Sequence, residues 1–94
     1  MLVNAVKCKE CNATVYSRTD GDMRECSCGR TIVSGGQKYF RYDTAPQTQY
    51  EVTKINVDAN ADILYEDWYF MYDNFGLIKQ DQSIEESQNV YILN

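Results

Sequence analysis

The sequence predicts a mainly β fold, with a small α+β fold as the alternative, on three observations. Four cysteines stand in two tight pairs with the spacing of a four-thiolate metal site. Runs rich in Val, Ile, Thr and Tyr recur along the chain, broken by Gly, Asn and Asp turn signals. The second half is acidic and crowded with aromatic rings. A chain of 94 residues buries a smaller share of its surface than a large domain does, so a metal staple adds needed stability.

The segment Met1 to Val6 is too short for the apolar core of a secretory leader, and positive charge follows it rather than precedes it. No apolar run approaches the roughly 20 residues of a membrane span. The expectation is a soluble, cytoplasmic protein with reduced thiols. In that setting paired cysteines more often hold metal than form disulfides.

The first pair reads Cys8-Lys9-Glu10-Cys11 and the second Cys26-Ser27-Cys28-Gly29. Four soft sulfur ligands in a tetrahedron match Zn²⁺ best. The expected cofactor is therefore structural Zn²⁺ on Cys8, Cys11, Cys26 and Cys28. Three other readings of the cysteines stay open. A redox pair would open a helix in a βαβ unit, which the pattern lacks. A catalytic zinc keeps a position for water and usually includes histidine, and the chain has none. An iron–sulfur cluster or a disulfide is the remainder.

Between the pairs lie Thr14-Val15-Tyr16, β-prone, then Ser17 to Asp22 with an Asp20-Gly21 hairpin signal, then Met23-Arg24-Glu25. The expected geometry is two knuckles joined by a hairpin. Thr31-Ile32-Val33 and Tyr39-Phe40-Arg41 flank Gly35-Gly36 and predict a second hairpin.

These residues resemble a group of short zinc-ribbon proteins found in bacteriophages and prophage regions. The likeness rests on Lys7-Cys8-Lys9-Glu10-Cys11-Asn12, Cys26-Ser27-Cys28-Gly29 and Val33-Ser34-Gly35-Gly36-Gln37-Lys38-Tyr39-Phe40-Arg41, and covers roughly residues 5–42. It implies a zinc ribbon and a phage setting, and no activity. Asn12 stands where the group commonly has glycine, and Asn also tolerates positive φ. The acidic half has no counterpart in the pattern.

The chain divides by charge and by its single proline. Up to Ala45 there are seven Lys or Arg against five Asp or Glu; from Pro46 onward two lysines face nine acids. The expected organisation is a metal module over 1–45 and an acidic, aromatic-rich β extension over 46–94, forming one compact unit. Tyr50 to Val57 alternates as a strand, with Tyr50, Val52, Lys54 and Asn56 on one face. Asp58 to Ala61 reads as a loop. Asp62 to Asn74 is ambiguous. Leu64, Trp68, Met71 and Phe75 fit a helix stripe, while Trp68 to Tyr72 is strongly β-prone and Asp73-Asn74-Phe75-Gly76 is turn chemistry. A hairpin leading into Leu77-Ile78-Lys79 is slightly favoured. Asn89 to Leu93 reads as a last strand.

Tyr65, Trp68, Tyr69, Phe70, Tyr72 and Phe75 fall within eleven residues. Core packing accounts for some of them. A small sheet cannot bury every ring, and Tyr and Trp are favoured at interface hot spots. Tyr65, Glu66, Asp67, Trp68, Tyr69, Tyr72 and Asp73 are the candidate partner contacts. With no histidine, no phosphate loop and no nucleophile elbow, no catalytic set emerges. The expected function is non-catalytic protein binding, as a phage-encoded host-takeover or anti-defence inhibitor of a host protein, plausibly a nucleic-acid-binding one. The alternative is a nucleic-acid-binding ribbon in transcription or replication. There Arg24, Arg30, Lys38 and Arg41 meet phosphates, within a basic-aromatic face that also takes in Arg18, Tyr16, Tyr39 and Tyr42. An aromatic-rich edge strand also raises a homodimer by sheet extension.

Overall fold

The computed structural model describes residues 1–75 and the backbone of Ile78–Lys79. The mainly β class is borne out. Among the described residues seven strands and one helix follow in order: β1 Leu2–Cys8, β2 Ala13–Val15, β3 Arg24–Glu25, β4 Thr31–Ser34, β5 Arg41–Thr44, β6 Tyr50–Asn56, α1 Ala61–Tyr69 and β7 Ile78–Lys79. They form two antiparallel sheets, one ordered β6-β1-β2-β7 and the other β3-β4-β5.

β1 is the centre of the larger sheet. It pairs with β6 along its whole length, Leu2↔Asn56 through Cys8↔Tyr50, and with β2 from Val6↔Val15 to Cys8↔Ala13. Side chains alternate across a strand, so β1 serves two cores. Val3 and Ala5 join Tyr16, Ile55, Val57 and Leu64 on one face. Val6 and Cys8 join Ala13, Val15, Cys26 and Val33 on the other. The helix covers the first face; the smaller sheet and the cysteines cover the second.

Three expectations need correction. The strands flanking the Asp20-Gly21 turn do not pair with each other. The turn itself forms, with the Asp22 N–H donating to the Thr19 carbonyl at 2.9 Å. However, β2 joins the larger sheet and β3 the smaller. The reason is burial: Ala13, Thr14 and Val15 are all buried beside β1, whereas Arg24 and Glu25 are polar and partly solvated.

The second correction concerns the diglycine. β4 and β5 do form the expected hairpin, but Ser34 opposes Arg41, so residues 35–40 make a six-residue loop and the second strand starts at Arg41. Gly35 (φ 87°) and Gly36 (φ 66°) both occupy the left-handed region. A Cβ on Gly35 would stand 2.1 Å from the Tyr39 carbonyl oxygen, which is backbone and cannot swing aside. Gly35→Ala is expected to cost about 1–3 kcal/mol, read as a drop in thermal midpoint of the metal-loaded protein.

Third, the favoured strand at 62–74 is a helix over Ala61–Tyr69. Asn60 caps it, its side chain accepting from the Ile63 N–H at 2.9 Å, and Asp62 sits in the first turn, where the helix dipole favours an acid. Leu64 and Asp67 point inward, so tertiary contacts override the β propensity of Trp68 to Tyr72. Met71 is 85% exposed and lies off the expected stripe. Met71 and Asp73 take positive φ (58° and 57°), which ends the helix. The expected strand at Tyr50 to Val57 forms over Tyr50–Asn56, and Ile78–Lys79 pairs with β2. The expected strand at Asn89 to Leu93 lies outside the described residues.

Candidate functional site

The four cysteines come from two loops that meet beyond the end of β1. Cys8 closes β1. The next turn is held by the Asn12 N–H on the Cys8 carbonyl (2.8 Å), with Asn12 at φ 62°, which brings Cys11 back toward Cys8. Cys26 follows β3, its N–H bonded to the Thr31 carbonyl at 2.9 Å; the Gly29 N–H bonds back to the Cys26 carbonyl at 3.0 Å and closes the second knuckle. Gly29 takes φ 79°, so the tight turn falls on the residue best suited to it.

All four sulfurs lie within 4.8 Å of one another. Cys8 and Cys28 sulfurs are 3.7 Å apart, and Cys26 and Cys28 sulfurs 3.6 Å. A disulfide needs about 2.05 Å. Four sulfurs at about 2.3 Å from a central ion, at tetrahedral angles, stand about 3.8 Å apart. The cluster therefore has the dimensions of a tetrathiolate site and can hold a metal ion such as zinc. Such a set fills every position of the tetrahedron with protein ligands.

Cys8 and Cys26 are buried, Cys11 is half-buried and Cys28 is exposed, so one corner of the cluster meets solvent. The thiols are strongly interdependent. Burial opposes ionisation of Cys26, but the Thr31 backbone and the thiols of Cys28, Cys8 and Cys11 outweigh it and bring its pKa down to about 6. At Cys28 the Arg30 backbone favours the thiolate, yet desolvation and the three neighbouring sulfurs push the pKa up to about 12. A cation among the sulfurs would favour the thiolate at Cys28.

The expected partner contacts fall mostly on α1. Tyr65, Tyr69, Phe70 and Tyr72 are 45–60% exposed. Tyr65 stacks on Tyr69 with centroids 5.6 Å apart, Tyr69 meets Phe70 edge-on at 5.0 Å, and Phe70 stacks on Tyr72 at 5.5 Å. Glu66 and Asp62 are exposed beside them. Phe70 and Met71, both exposed, also belong to this surface.

Asp67 does not. It is buried, and its carboxylate faces inward. Arg18 donates to it at 2.7 Å, as do the N–H groups of Asn74 (2.7 Å) and Phe75 (3.0 Å). Burial alone would raise its pKa; the Phe75 N–H, Arg18 and the Asn74 N–H together hold it below the usual carboxylate range. Arg18 also makes a bidentate pair with Asp22, at 2.8 and 3.1 Å. This buried Asp22–Arg18–Asp67 triad ties α1 to the turn between the cysteine pairs. Trp68 adds to the join, its ring packed so close to Gly21 that a Cβ there would stand 2.7 Å from it. The Tyr16 hydroxyl donates to the Phe75 carbonyl at 2.8 Å, and burial raises its pKa.

The basic residues are dispersed in role. Arg18 is buried. Arg24 donates through both terminal nitrogens to Asp73 at 3.0 and 2.8 Å. Arg30 donates to the Thr48 hydroxyl at 3.0 Å and the Pro46 carbonyl at 2.9 Å. Lys38 sits 5.5 Å from the Tyr39 ring centroid, and Arg41 is exposed on β5. Arg18, Asp22 and Asp67 were not legible as a unit, because Arg18 and Asp67 are 49 residues apart. The one local hint is an acid three residues after Leu64, on the inward side of a helix.

Comparison with family models gives a match to a domain of unknown function (DUF7695) over residues 1–43. That span holds all four cysteines, Arg18 and the Thr19–Asp22 turn, and stops short of β6 and α1. Neither the curated proteins nor the solved structures give a match. Among the described residues no helix is long and apolar enough to cross a membrane.

Proposed function

We propose that this chain is a non-catalytic protein-binding factor. A zinc ribbon built on Cys8, Cys11, Cys26 and Cys28 is the scaffold, with Zn²⁺ in a purely structural role. The aromatic face of α1 is the working surface. Tyr65, Tyr69, Phe70 and Tyr72, with Asp62 and Glu66 beside them, suit a basic patch on a partner protein, where rings supply contact area and acids supply steering. The resemblance of residues 5–42 to phage ribbons supports a phage setting, in which the partner is a host protein and binding blocks it.

The observation that carries this reading is the exposed set of mutually contacting rings along and just past a helix anchored from behind by Asp67 and Trp68. Rings held this way lose little conformational freedom on binding. Arg24 and Arg30 already hydrogen-bond within the chain, which favours protein binding over phosphate binding. The chain has no histidine, and four protein thiolates on one ion leave no position for a catalytic water.

The test is capture from a bacterial lysate by the zinc-loaded protein, followed by affinity measurement with the captured partner. Tyr65→Ala with Tyr69→Ala is expected to weaken binding by about 2 kcal/mol or more, roughly thirtyfold, with the thermal midpoint nearly unchanged. Undiminished capture by the double variant would refute the assignment of α1. Steeply salt-dependent micromolar binding to single-stranded or duplex DNA would refute the protein-binding reading itself.

A further inference from the structure

Among the described residues, β6 borders the larger sheet. Its inner side is occupied by β1 along all seven residues. Two flanking hydrogen bonds fix its backbone parity: the Val57 N–H donates to the Met1 carbonyl and the Lys9 N–H to the Gln49 carbonyl, each at 2.8 Å. Directly opposed residues of an antiparallel ladder alternate between hydrogen-bonded and non-hydrogen-bonded pairs. The odd-numbered residues of β6 therefore bond to β1. The N–H and C=O groups of Tyr50, Val52, Lys54 and Asn56 point away, toward the border. The side chains of these four residues are exposed as well, Tyr50 by 41% and Val52 by 51%. The strand has no proline to blunt it, and such an edge is a template for another strand.

We propose that β6 pairs antiparallel with β6 of a second copy of this chain, about a two-fold axis at Val52, to join two four-stranded sheets into one. The register follows from charge. Centring on Glu51 or Lys54 sets like charges face to face, which is unfavourable. Centring on Thr53 places Lys54 against Val52 and Glu51 against Ile55. Centring on Val52 sets Val52 against Val52, Tyr50 against Lys54 on both sides of the axis, and Glu51 against Thr53. No like charges meet, and each ammonium faces a tyrosine ring, a favourable contact. Tyr42, with its ring centroid 5.7 Å from that of Tyr50, widens the apolar strip. β6 carries one acid and one base in a chain of net charge −5, so this border is locally neutral where two acidic molecules approach. The interface is separate from the aromatic face of α1.

The test is sedimentation of the full-length, zinc-loaded chain from micromolar to millimolar concentration. The wild type is expected to dimerise. Val52→Lys and Val52→Glu, each with zinc content equal to wild type, are expected to raise the dimer dissociation constant at least about tenfold. An equimolar mixture of the two is expected to dimerise again, because residue 52 faces its own counterpart. A monomeric wild type, unaffected variants, or a mixture that stays monomeric would overturn the proposal. Should the variants fail to fold, amide exchange on the wild type decides. Val52 and Lys54 amides are expected to be protected only in concentrated protein, and protection at every concentration would overturn the proposal in favour of cover from within the chain.

Discussion

Cys8→Ser is expected to yield a chain that binds no stoichiometric zinc and lacks a cooperative fold. Cys8 ends the strand that pairs with both β2 and β6 and is itself fully buried in the core beneath the smaller sheet. Loss of its sulfur opens the four-cysteine cluster at the end of the strand that serves both cores. Zinc binding supplies on the order of 10 kcal/mol in small modules, comparable to the entire stability of an ordinary domain, about 5–15 kcal/mol. The effect should appear as collapsed amide dispersion in NMR spectra and loss of a cooperative melting transition. Chelation of the wild type should give the same state, and zinc should reverse it. A Cys8→Ser chain with native dispersion in the presence of chelator would show that the metal is incidental to the fold.

The second large effect lies at Arg18. Arg18→Met is expected to cost about 3–5 kcal/mol, because it leaves the buried carboxylates of Asp22 and Asp67 without their cation. Asp67→Asn should cost less, since Arg18 keeps its pair with Asp22 and the one amide oxygen can still accept at one of the two carboxylate positions. Both should release α1 from the turn at Gly21, seen as a red shift of Trp68 fluorescence in the metal-loaded protein. Asp67 also predicts a pH dependence. Its folded pKa is depressed, so its contribution is fully present above the unfolded value of about 3.9 and is lost as pH falls through the lower folded value. Acid also protonates the sulfurs, so the contribution is the wild-type stability minus that of Asp67→Asn at each pH. It is expected to shrink only below about pH 4. An unchanged melting transition in Arg18→Met would mean that the triad does not hold the helix.

The parts of this fold written in local chemistry were legible. Cys-x-x-Cys and Cys-x-Cys-Gly spacing brings the two sulfurs of each pair together locally, and two such pairs imply one four-thiolate site. The alternation from Tyr50 to Val57 gave β6 its faces. Asp20-Gly21 gave its turn. What was not legible depends on distant partners. The hairpin reading failed because β2 finds more burial beside β1 than beside β3. The helix at Ala61–Tyr69 competed against β-prone rings, and the Asn60 cap with inward Leu64 and Asp67 decided it. Asp67 looked like a surface acid until Arg18 was placed beside it.

The most direct test of the tetrathiolate scaffold is X-ray absorption at the zinc edge on purified protein, with metal content measured on the same sample. One zinc per chain with four sulfur neighbours at about 2.3 Å is the expected result. Absence of stoichiometric zinc, a shell containing nitrogen or oxygen, or sulfurs joined in disulfides would contradict it.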